Sequence, residues 1–343
     1  MRSRCGRKRL LMEFYNILHL SRALVSTSHS IDFSVGIVVC IPSFRRPQPL
    51  RLTLESLANQ RTEHRFAIVV IENDTVMAES ALVATEFFQA NKIPGLCVVE
   101  PRQGNCYAIN AAFETALASF PAATEFLMID DDEVASKDWL ELMVRAAKTS
   151  GADVVGGPVL PDFHDAAKRS LGRHPAFRPA YDSSGPVPVI YGSGNCLIKR
   201  SVFATLGDPV FDLRFNFLGG GDTDFFSRCR EAGMNFYWAA EAVITENVPD
   251  SRTYSRWLML RGLRIGAINY HVELKAARTV RSRARLLVRL LGRLPLSLFR
   301  AARLALTERK PMIALHPIAV AVGSSLAAIG IELQPYKASK ISS

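Results

Sequence analysis

Short apolar runs rich in β-branched residues alternate with longer runs of helical periodicity along the first half of the chain. The apolar runs predict buried strands at residues 35–41, 66–71, 96–99 and 126–129, with a fifth beginning at 153–155. The stretches between them predict helices at 47–60, 76–91, 105–118 and 137–148. This alternation is typical of an α/β fold, with a mostly parallel central sheet flanked by helices. Ligands of such folds bind beyond the carboxyl ends of the strands.

The second half of the chain is less regular. Its patterns predict a proline-rich excursion at 156–190, a strand at 196–199, and helices at 222–231 and 251–270. Residues 312–331 are apolar for long enough to span a membrane, but His316, Pro317 and a Gly-Ser-Ser break interrupt them. A single membrane segment and a shallow or packed hairpin are therefore both possible. We expect three regions: an extension at 1–33, a central domain at 34–274 and a helical tail at 275–343.

Composition restricts the class of protein. With 343 residues, 48% apolar and 22% charged, the chain can bury the core of one large α/β domain plus an appendage. The six cysteines are scattered without a C-x-x-C pair, which argues against a disulfide scaffold or a structural zinc site and favours reduced thiols in the cytosol. The basic N-terminus lacks an uninterrupted apolar segment and a cleavage site, so we expect a short helix or a frayed extension rather than a signal peptide.

Positive charge is concentrated at the two ends of the chain, although the net charge is +10. Residues 275–310 hold 11 Lys and Arg against one acidic residue. Within 278–303, arginines alternate with Leu and Val clusters, which predicts a basic amphipathic helix on an anionic membrane surface. A helix packed on the central domain, with its arginines in solvent, is the alternative. Nucleic acid is not an expected partner, because Phe299 is the one aromatic residue of this segment available for stacking on bases.

An acidic run follows the fourth predicted strand and is the strongest chemical signal. Asp130, Asp131 and Asp132 repel one another when partly desolvated, and a divalent cation relieves that repulsion. Oxygen ligands suit Mg²⁺ or Mn²⁺, and Asp130 and Asp132 have the D-x-D spacing of a metal–diphosphate site. The alternative is a solvated acidic turn that caps the next helix.

Two weaker groups of polar residues also follow predicted strands. Glu72, Asn73 and Asp74 offer oxygen acceptors for a base or ribose, but such residues are often only turn formers. Asp222 follows three glycines at the start of a predicted helix. It could serve as a general base on a turn that a ligand can approach closely, or simply cap the helix.

The ordered set of motifs is more specific than any one of them. The strings are IPSFRRP, VVIENDT, MIDDDE, YGSGNCLIKR, LGGGDTDFFSR and RTYSRW. In this order, over roughly residues 34–270, they resemble family 2 glycosyltransferases with the A-type nucleotide-sugar fold. Within that family they resemble the succinoglycan-type (ExoM-like) glucosyltransferases of bacterial exopolysaccharide synthesis.

The resemblance implies roles for individual residues. Pro42, Ser43 and Arg45 would line the nucleotide pocket, and Glu72 and Asn73 would hold the uracil. Asp131 would face the ribose, while Asp130 and Asp132 would face the metal-bridged diphosphate. Asp222 would be the general base, and Arg256 and Trp257 would lie near the diphosphate and the acceptor.

The resemblance also implies an inverting, metal-dependent transfer that forms a β-linkage. A hexose, in the first place glucose, would move from a UDP-sugar to a lipid-linked oligosaccharide. The reaction would take place at the cytoplasmic face of the inner membrane, within a possible polysaccharide-assembly complex. Gly221 stands where the family usually has Glu, and Ile109 where many members have Arg. These departures favour an alternative, a weak or inactive scaffold of the same fold. A metal-dependent phosphohydrolase is disfavoured, because no glycine-rich phosphate loop follows the first strand.

Overall fold

A computed structural model describes residues 22–27, 34–308 and 310–331. The predicted N-terminal extension therefore lies largely outside the described residues. The first half of the chain contains the strands β1 (Ala23–Thr27), β2 (Ile37–Ser43), β3 (Phe66–Glu72), β4 (Gly95–Val99), β5 (Glu125–Met128), β6 (Glu133–Ala135) and β7 (Val154–Gly156). Its helices are α1 (Pro47–Ala58), α2 (Glu79–Ala90), α3 (Asn105–Ser119) and α4 (Trp139–Ser150).

The second half of the chain is more ordered than its sequence indicates. The proline-rich excursion contains β8 (Val159–Phe163), a 3-10 helix (Ala166–Arg173) and β9 (Gly185–Val187). It is followed by β10 (Cys196–Lys199), α5 (Arg200–Leu206), α6 (Gly221–Glu231), β11 (Phe236–Trp238) and β12 (Ile244–Val248). The C-terminal helices are α7 (Ser255–Ala276), α8 (Val280–Glu308) and α9 (Pro311–Ala328).

The main sheet confirms the predicted α/β fold class, but it is a mixed sheet. Its nine described strands run in the order β1-β4-β3-β2-β5-β10-β7-β11-β9. The four strands β4, β3, β2 and β5 are parallel, as the alternation of strands and helices predicts. The strand β10 runs antiparallel to both of its neighbours, and β1 and β9 are antiparallel edges. A second sheet has the order β6-β12-β8 and lies beyond the end of β5.

Two details of the first strands differ from the sequence-based expectation. The sequence predicts that the first buried strand stops at Pro42, but β2 continues through it to Ser43, paired with β3. Pairing with β5 has already ended at Cys40, so the missing N–H of Pro42 leaves no carbonyl of β5 unpaired. The edge strand β1 was not predicted, because its five residues carry little apolar alternation.

Helices cover both faces of the main sheet and bury its apolar side chains. On one face, α1, α2 and α4 pack over the odd-numbered residues of β2, such as Val39 and Ile41. The leucines predicted for α1, Leu50, Leu54 and Leu57, are fully buried there. On the other face, α3 and α6 pack over the even-numbered residues, such as Val38 and Cys40. The five described cysteines are free and buried.

The helix α9 packs along α7 and runs parallel to it, with α8 as the connection between them. Small residues let the two backbones touch, since a Cβ atom added to Gly266 would overlap the carbonyl oxygen of Val320. The hydroxyl of Ser324 donates a hydrogen bond of 2.9 Å to the carbonyl of Gly266. The predicted domain boundary at 275 falls in the last turn of α7. That the tail is a separate domain stays a prediction.

We expect Gly266→Ala to destabilise the protein by about 1–3 kcal/mol, because the added methyl group forces α7 and α9 apart. Chemical denaturation measures the change. The matched control is Gly292→Ala in α8, which meets no atom within 4 Å. It should be neutral or stabilising by about 0.5–1 kcal/mol, since alanine is the better helix former. Equal effects at the two sites would contradict this packing.

Candidate functional site

The three aspartates after β5 contact the loop between β2 and α1. The Asp131 carboxylate accepts hydrogen bonds from the Ser43 hydroxyl at 2.8 Å and from the Phe44 amide at 3.2 Å. It also accepts one from the Arg46 guanidinium at 3.0 Å. These bonds bring together the carboxyl ends of two adjacent parallel strands, as expected. The alternative of a helix cap is wrong, because Asp138 occupies the cap position of α4.

Two arginines that sequence reasoning missed reach the same aspartates. Arg46 forms an ion pair of 2.7 Å with Asp132, and Arg252 lies 3.7 Å from the same carboxylate. Arg252 also pairs with Glu246 of β12, a residue in register with Glu133 of β6. Arg46 was visible in the string IPSFRRP, next to the residues singled out. Arg252 was likewise visible as the first residue of the string RTYSRW, whereas Glu246 lies in the irregular half, where no quoted string contains it.

The cluster is rich in negative charge and short of donors. Burial raises the pKa of the Asp130 carboxyl to about 8, and the charges of Asp132 and Asp131 add to the effect. Burial, together with the charge of Asp130, also holds the pKa of Glu133 well above its ordinary value. Among the described residues, none donates a hydrogen bond to the Asp130 carboxylate. A cation is the partner that such a carboxylate lacks.

The donor set therefore suits a divalent cation that takes one or two protein carboxylates. Asp130 and Asp132 are the residues that could hold it, with water and diphosphate oxygens completing the shell. In the part of the chain that the structure describes, no three His, Cys, Asp or Glu side chains surround a common point as a preformed metal site. Arg46 and Arg252 supply the positive charge near Asp132 instead.

The group after β3 divides into three different roles. The Glu72 carboxylate is buried and accepts bonds from the amides of Asp74 and Ala81. Burial raises the pKa of Glu72. Burial alone would raise the pKa of Asp74, but its ion pair with Arg45 at 2.8 Å and its bonds from backbone amides together lower it. Arg45 itself has a left-handed backbone, with φ of 56°.

Both polar atoms of the Asn73 side-chain amide form hydrogen bonds with backbone groups. Its Nδ2 donates to the carbonyls of Glu100 and Arg102, each at 2.8 Å, and its Oδ1 accepts from the Gly104 amide at 2.8 Å. The side chain thereby joins the ends of β3 and β4 to the start of α3. Of the three residues, Asn73 is the one with a clear structural role.

The Gly-rich turn before α6 leaves Asp222 accessible. Gly219 and Gly220 have φ of 85° and 86°, a conformation that favours glycine. Asp222 is partly exposed and its carboxylate accepts only from the neighbouring Thr223 among described residues. The residue is not the N-cap of α6, which is Gly220, and Gly220 has no side chain to cap the helix.

Asp224, in contrast, is buried in an ion network. Its carboxylate accepts from Arg228 at 2.9 Å and from Lys275 at 2.6 and 2.8 Å. Lys275 also lies 2.7 Å from Asp212. Asp224 is therefore fully engaged, as expected from its position about 200° around the helix from Asp222.

The acidic cluster and Asp222 lie near each other, across the start of β10. Burial is the main cause of the raised pKa of the Cys196 thiol, and the charges of Asp130 and Asp222 both add to it. Cys196 is the first residue of β10. The loop before β10 also touches the cluster, since a Cβ atom on Gly194 would lie 2.5 Å from Glu133 Oε1. The acidic cluster and the candidate base therefore both lie around the start of β10.

Arg256 and Trp257 do not contact the acidic cluster in this structure. Arg256 is exposed on α7, while Trp257 stacks on Phe177 with ring centroids 5.9 Å apart. The basic residue of this segment that reaches the aspartates is Arg252, one turn earlier. Pro42 is buried in β2, at the foot of the loop that binds Asp131.

Two family models match the chain over the elements that carry these residues. "Glycosyl transferase family 2" matches residues 38–207, and "Glycosyl transferase family group 2" matches residues 126–326. The succinoglycan biosynthesis protein ExoM of Rhizobium meliloti (strain 1021) is 32% identical over 237 residues, covering 68% of this chain and 72% of ExoM. The chain belongs to glycosyl transferase family 2.

Other similar proteins agree with this membership. The glucosyl-dolichyl phosphate glucuronosyltransferase of Haloferax volcanii is 29% identical over 187 residues, covering 50% of this chain and 55% of that protein. Among solved structures, the mannosyltransferase PcManGT of Pyrobaculum calidifontis, in complex with GDP-Man and Mn²⁺, superposes with a TM-score of 0.57 at 17% identity. That match covers 92% of this chain and 94% of PcManGT, and it shows the shared fold.

The packing explains one departure of this family 2 glycosyltransferase from its relatives. A Cβ atom on Gly221 would lie 2.8 Å from the Phe211 ring and 3.0 Å from the Cys106 sulfur. This turn has no room for the glutamate usual in the family. Ile109, where many members have arginine, is buried, and Arg102 pairs with Glu100 at 2.8 Å.

We expect Asn73→Asp to destabilise this glycosyltransferase by at least about 2 kcal/mol. Two buried carbonyls lose their donor, at roughly 1–3 kcal/mol each, and a carboxylate faces them instead. Urea unfolding measures the change. Asn105→Asp, on the exposed first turn of α3, is the control and should stay within about 0.5 kcal/mol of wild type. A stable Asn73→Asp protein would show that the side chain is free for a ligand.

Proposed function

We propose that this glycosyltransferase moves a hexose, in the first place glucose, from a UDP-sugar to a lipid-linked oligosaccharide, with inversion to a β-linkage. What supports the proposal is the gathering of Asp130–Asp132 beyond β5 against the loop after β2, with the partly exposed Asp222 also near the start of β10. A diphosphate leaving group and an acceptor hydroxyl need these two kinds of carboxylate, one to hold a cation and one to take a proton.

The donor nucleotide would lie over the carboxyl ends of β2 and β3. We assign Pro42, Ser43 and Arg45 to the walls of this pocket. Glu72, Asn73 and Asp74 would shape its floor, with Asn73 acting through the backbone it holds rather than through a free amide. Asp131 would face the ribose, so a bound donor would compete with Ser43 and Arg46 for its carboxylate.

Asp130 and Asp132 would hold Mn²⁺ or Mg²⁺. When bound, the ion neutralises charge on the departing diphosphate. Arg46 now occupies Asp132, so it must release that carboxylate before a cation can use it. Once released, its guanidinium can turn to a phosphate oxygen, a partner for which arginine geometry is well matched. Arg256 and Trp257 would lie on the acceptor side.

Asp222 would act as the general base. Its carboxylate takes the proton of the acceptor hydroxyl while that oxygen bonds to the anomeric carbon of the donor. The bond from the anomeric carbon to the diphosphate oxygen breaks on the opposite face, which inverts the configuration. A carboxylate suffices as the base, because the hydroxyl becomes acidic only as the new bond forms.

The acceptor assignment is supported by the similarity to ExoM, a succinoglycan biosynthesis protein. We extend it to exopolysaccharide synthesis at the cytoplasmic face of the inner membrane, with a possible place in an assembly complex. The basic tail is consistent with an acceptor held in that membrane.

A scaffold of the same fold is the second candidate, and Gly221 favours it. Without the glutamate before the base, the acceptor has one contact fewer. UDP release from UDP-glucose with Mn²⁺, with and without a glycolipid acceptor, separates the two functions. Turnover that depends on the acceptor supports the transferase, whereas donor binding without any turnover supports the scaffold.

For the metal, we expect Asp132→Ala to abolish Mn²⁺-dependent binding of UDP in calorimetry and leave the fold intact. Asp130→Ala should have a weaker effect. Arg46→Gln should act in the opposite direction and raise Mn²⁺ affinity without donor, because a competing cation is removed. Arg45→Gln, which loses a pair with Asp74, is the control and should leave Mn²⁺ affinity unchanged. Undiminished binding in Asp132→Ala would reject the metal assignment.

For the base, we expect Asp222→Asn to keep donor binding and thermal stability near wild type. Its transfer rate should fall by roughly 10²-fold or more, the usual scale for losing a general base. Asp224→Asn is the matched variant two residues away. It should lower stability, because Lys275 and Arg228 lose a charged partner, and keep most of its activity per folded molecule. The reverse pattern, with Asp224→Asn folded but inactive and Asp222→Asn unaffected, would show that the wrong carboxylate is assigned.

A further inference from the structure

The long helix α8 has an apolar face that no described element covers. Its buried side, Leu286, Leu290, Ser297 and Ala301, faces the protein. On another side, large apolar residues stand in solvent, with exposed fractions of 79% for Leu291, 57% for Leu298 and 69% for Phe299. The exposed apolar residues that make up this stripe are Val280, Leu287, Val288, Leu291, Leu294, Leu298, Phe299 and Leu306.

The stripe is continuous and is flanked by positive charge. At 100° per residue, its members fall within an arc of about 140°, and the helix is about 43 Å long. The next arc, about 100° wide, is occupied by exposed arginines, namely Arg281, Arg285, Arg289, Arg300 and Arg303, and it also contains the exposed Leu296. The one acidic residue of α8 is Glu308, at its C-terminal end. An apolar face with an arginine flank matches the boundary between acyl chains and anionic headgroups.

The sign of the charge argues against occupants from the protein itself. A second copy of the stripe would bring a second row of arginines beside the first. Residues 1–21, which lie outside the described residues, carry five Lys and Arg and one acidic residue, so they too have the same sign as α8. An anionic bilayer supplies both an apolar layer and the opposite charge.

The most apolar helix, α9, is not the membrane element in this arrangement. It is 18 residues long with a mean hydropathy of 1.5, and by length and composition it could cross a bilayer. However, it touches α7 backbone to backbone at Gly266 and Gly323. His316 also packs on His174 of the proline-rich excursion, with ring centroids 5.0 Å apart.

A crossing α9 would have to leave α7 or take it into the bilayer. The charged residues that α7 would carry in are Arg256, Arg261, Arg264, Glu273 and Lys275. Leaving α7 would instead expose Gly262 and Gly266, which have no side chains of their own to cover the helix. Both routes are unfavourable compared with the docked helix.

We infer that the apolar stripe of α8 lies in the surface of an anionic bilayer, with its arginine flank on lipid phosphates, while α9 stays packed on α7 and does not cross. The inference extends the proposed function, which places the acceptor in a membrane. Its test involves no sugar transfer, so the two can fail separately.

The experiment is co-sedimentation of the full-length protein with vesicles, either of phosphatidylcholine alone or with added phosphatidylglycerol. A stripe variant carries Leu291→Gln, Leu298→Gln and Phe299→Gln. A flank variant carries Arg285→Gln, Arg289→Gln and Arg303→Gln. The control carries Leu52→Gln and Leu82→Gln, two exposed leucines of the catalytic half, on α1 and α2. Because all these positions are exposed, circular dichroism should show unchanged folds.

We expect the wild type to bind the anionic vesicles and the control to match it. The stripe variant should bind at least tenfold more weakly. The flank variant should lose about fivefold for each arginine on anionic vesicles, and almost nothing on neutral ones. Carbonate extraction at high pH should release the wild type, because no helix crosses.

Three results would overturn the inference. One is a stripe variant that binds like the wild type. Another is a wild type that does not bind vesicles. If this wild type elutes as a dimer in size-exclusion chromatography and the stripe variant elutes as a monomer, the stripe is covered by a second copy of the chain. The third is protein that resists carbonate extraction, which would mean that α9 spans the bilayer.

Discussion

The repulsion among the carboxylates beyond β5 is the constraint on which the rest of the site depends. The acidic residues share one partly desolvated region and come from the end of β5, the start of β6 and the middle of β12, namely Asp130, Asp131, Asp132, Glu133 and Glu246. Each element around them supplies a donor or a positive charge. The loop after β2 provides the Ser43 hydroxyl, the Phe44 amide and the Arg46 guanidinium, and the segment after β12 provides Arg252. Electrostatic attraction to the acidic cluster thus holds both the loop before α1 and the short second sheet in place.

The first half of this fold could be predicted because its physics is local. Parallel strands buried on both faces require continuous apolar runs, and their covering helices show a 3.6-residue period, so both signals appear in short windows. The acidic run after β5 stood out for the same reason. Since parallel strands end at one edge, Ser43 and Asp131 could be expected near each other before the structure was known.

In the second half, β10 and α6 lie where the sequence predicts them. The other strands resisted prediction because they are only three to five residues long and obtain their stability from neighbours distant in the chain. The strand β11 pairs with β7 and β9, and β12 pairs with β6 and β8, so no short window contains the pattern. Glu246 was missed because the carboxylates around it lie more than 100 residues earlier in the sequence. Arg252 and Arg256 stand in the same motif, RTYSRW, and sequence order alone does not tell which of the two reaches the aspartates.

The salt bridges of Lys275 have a practical consequence for dissecting the protein. This residue is the last basic side chain of α7, and it bridges Asp212 and Asp224 beside the turn that carries Asp222. A fragment cut at residue 274 would lose this lysine together with α9, so it would bare a glycine-lined groove and leave Asp212 and Asp224 short of a counter-charge. A cut at this position would therefore disturb the catalytic half as well as remove the tail. To obtain a water-soluble form for biochemical work, it is better to replace the exposed apolar residues of α8 with polar ones than to truncate the chain.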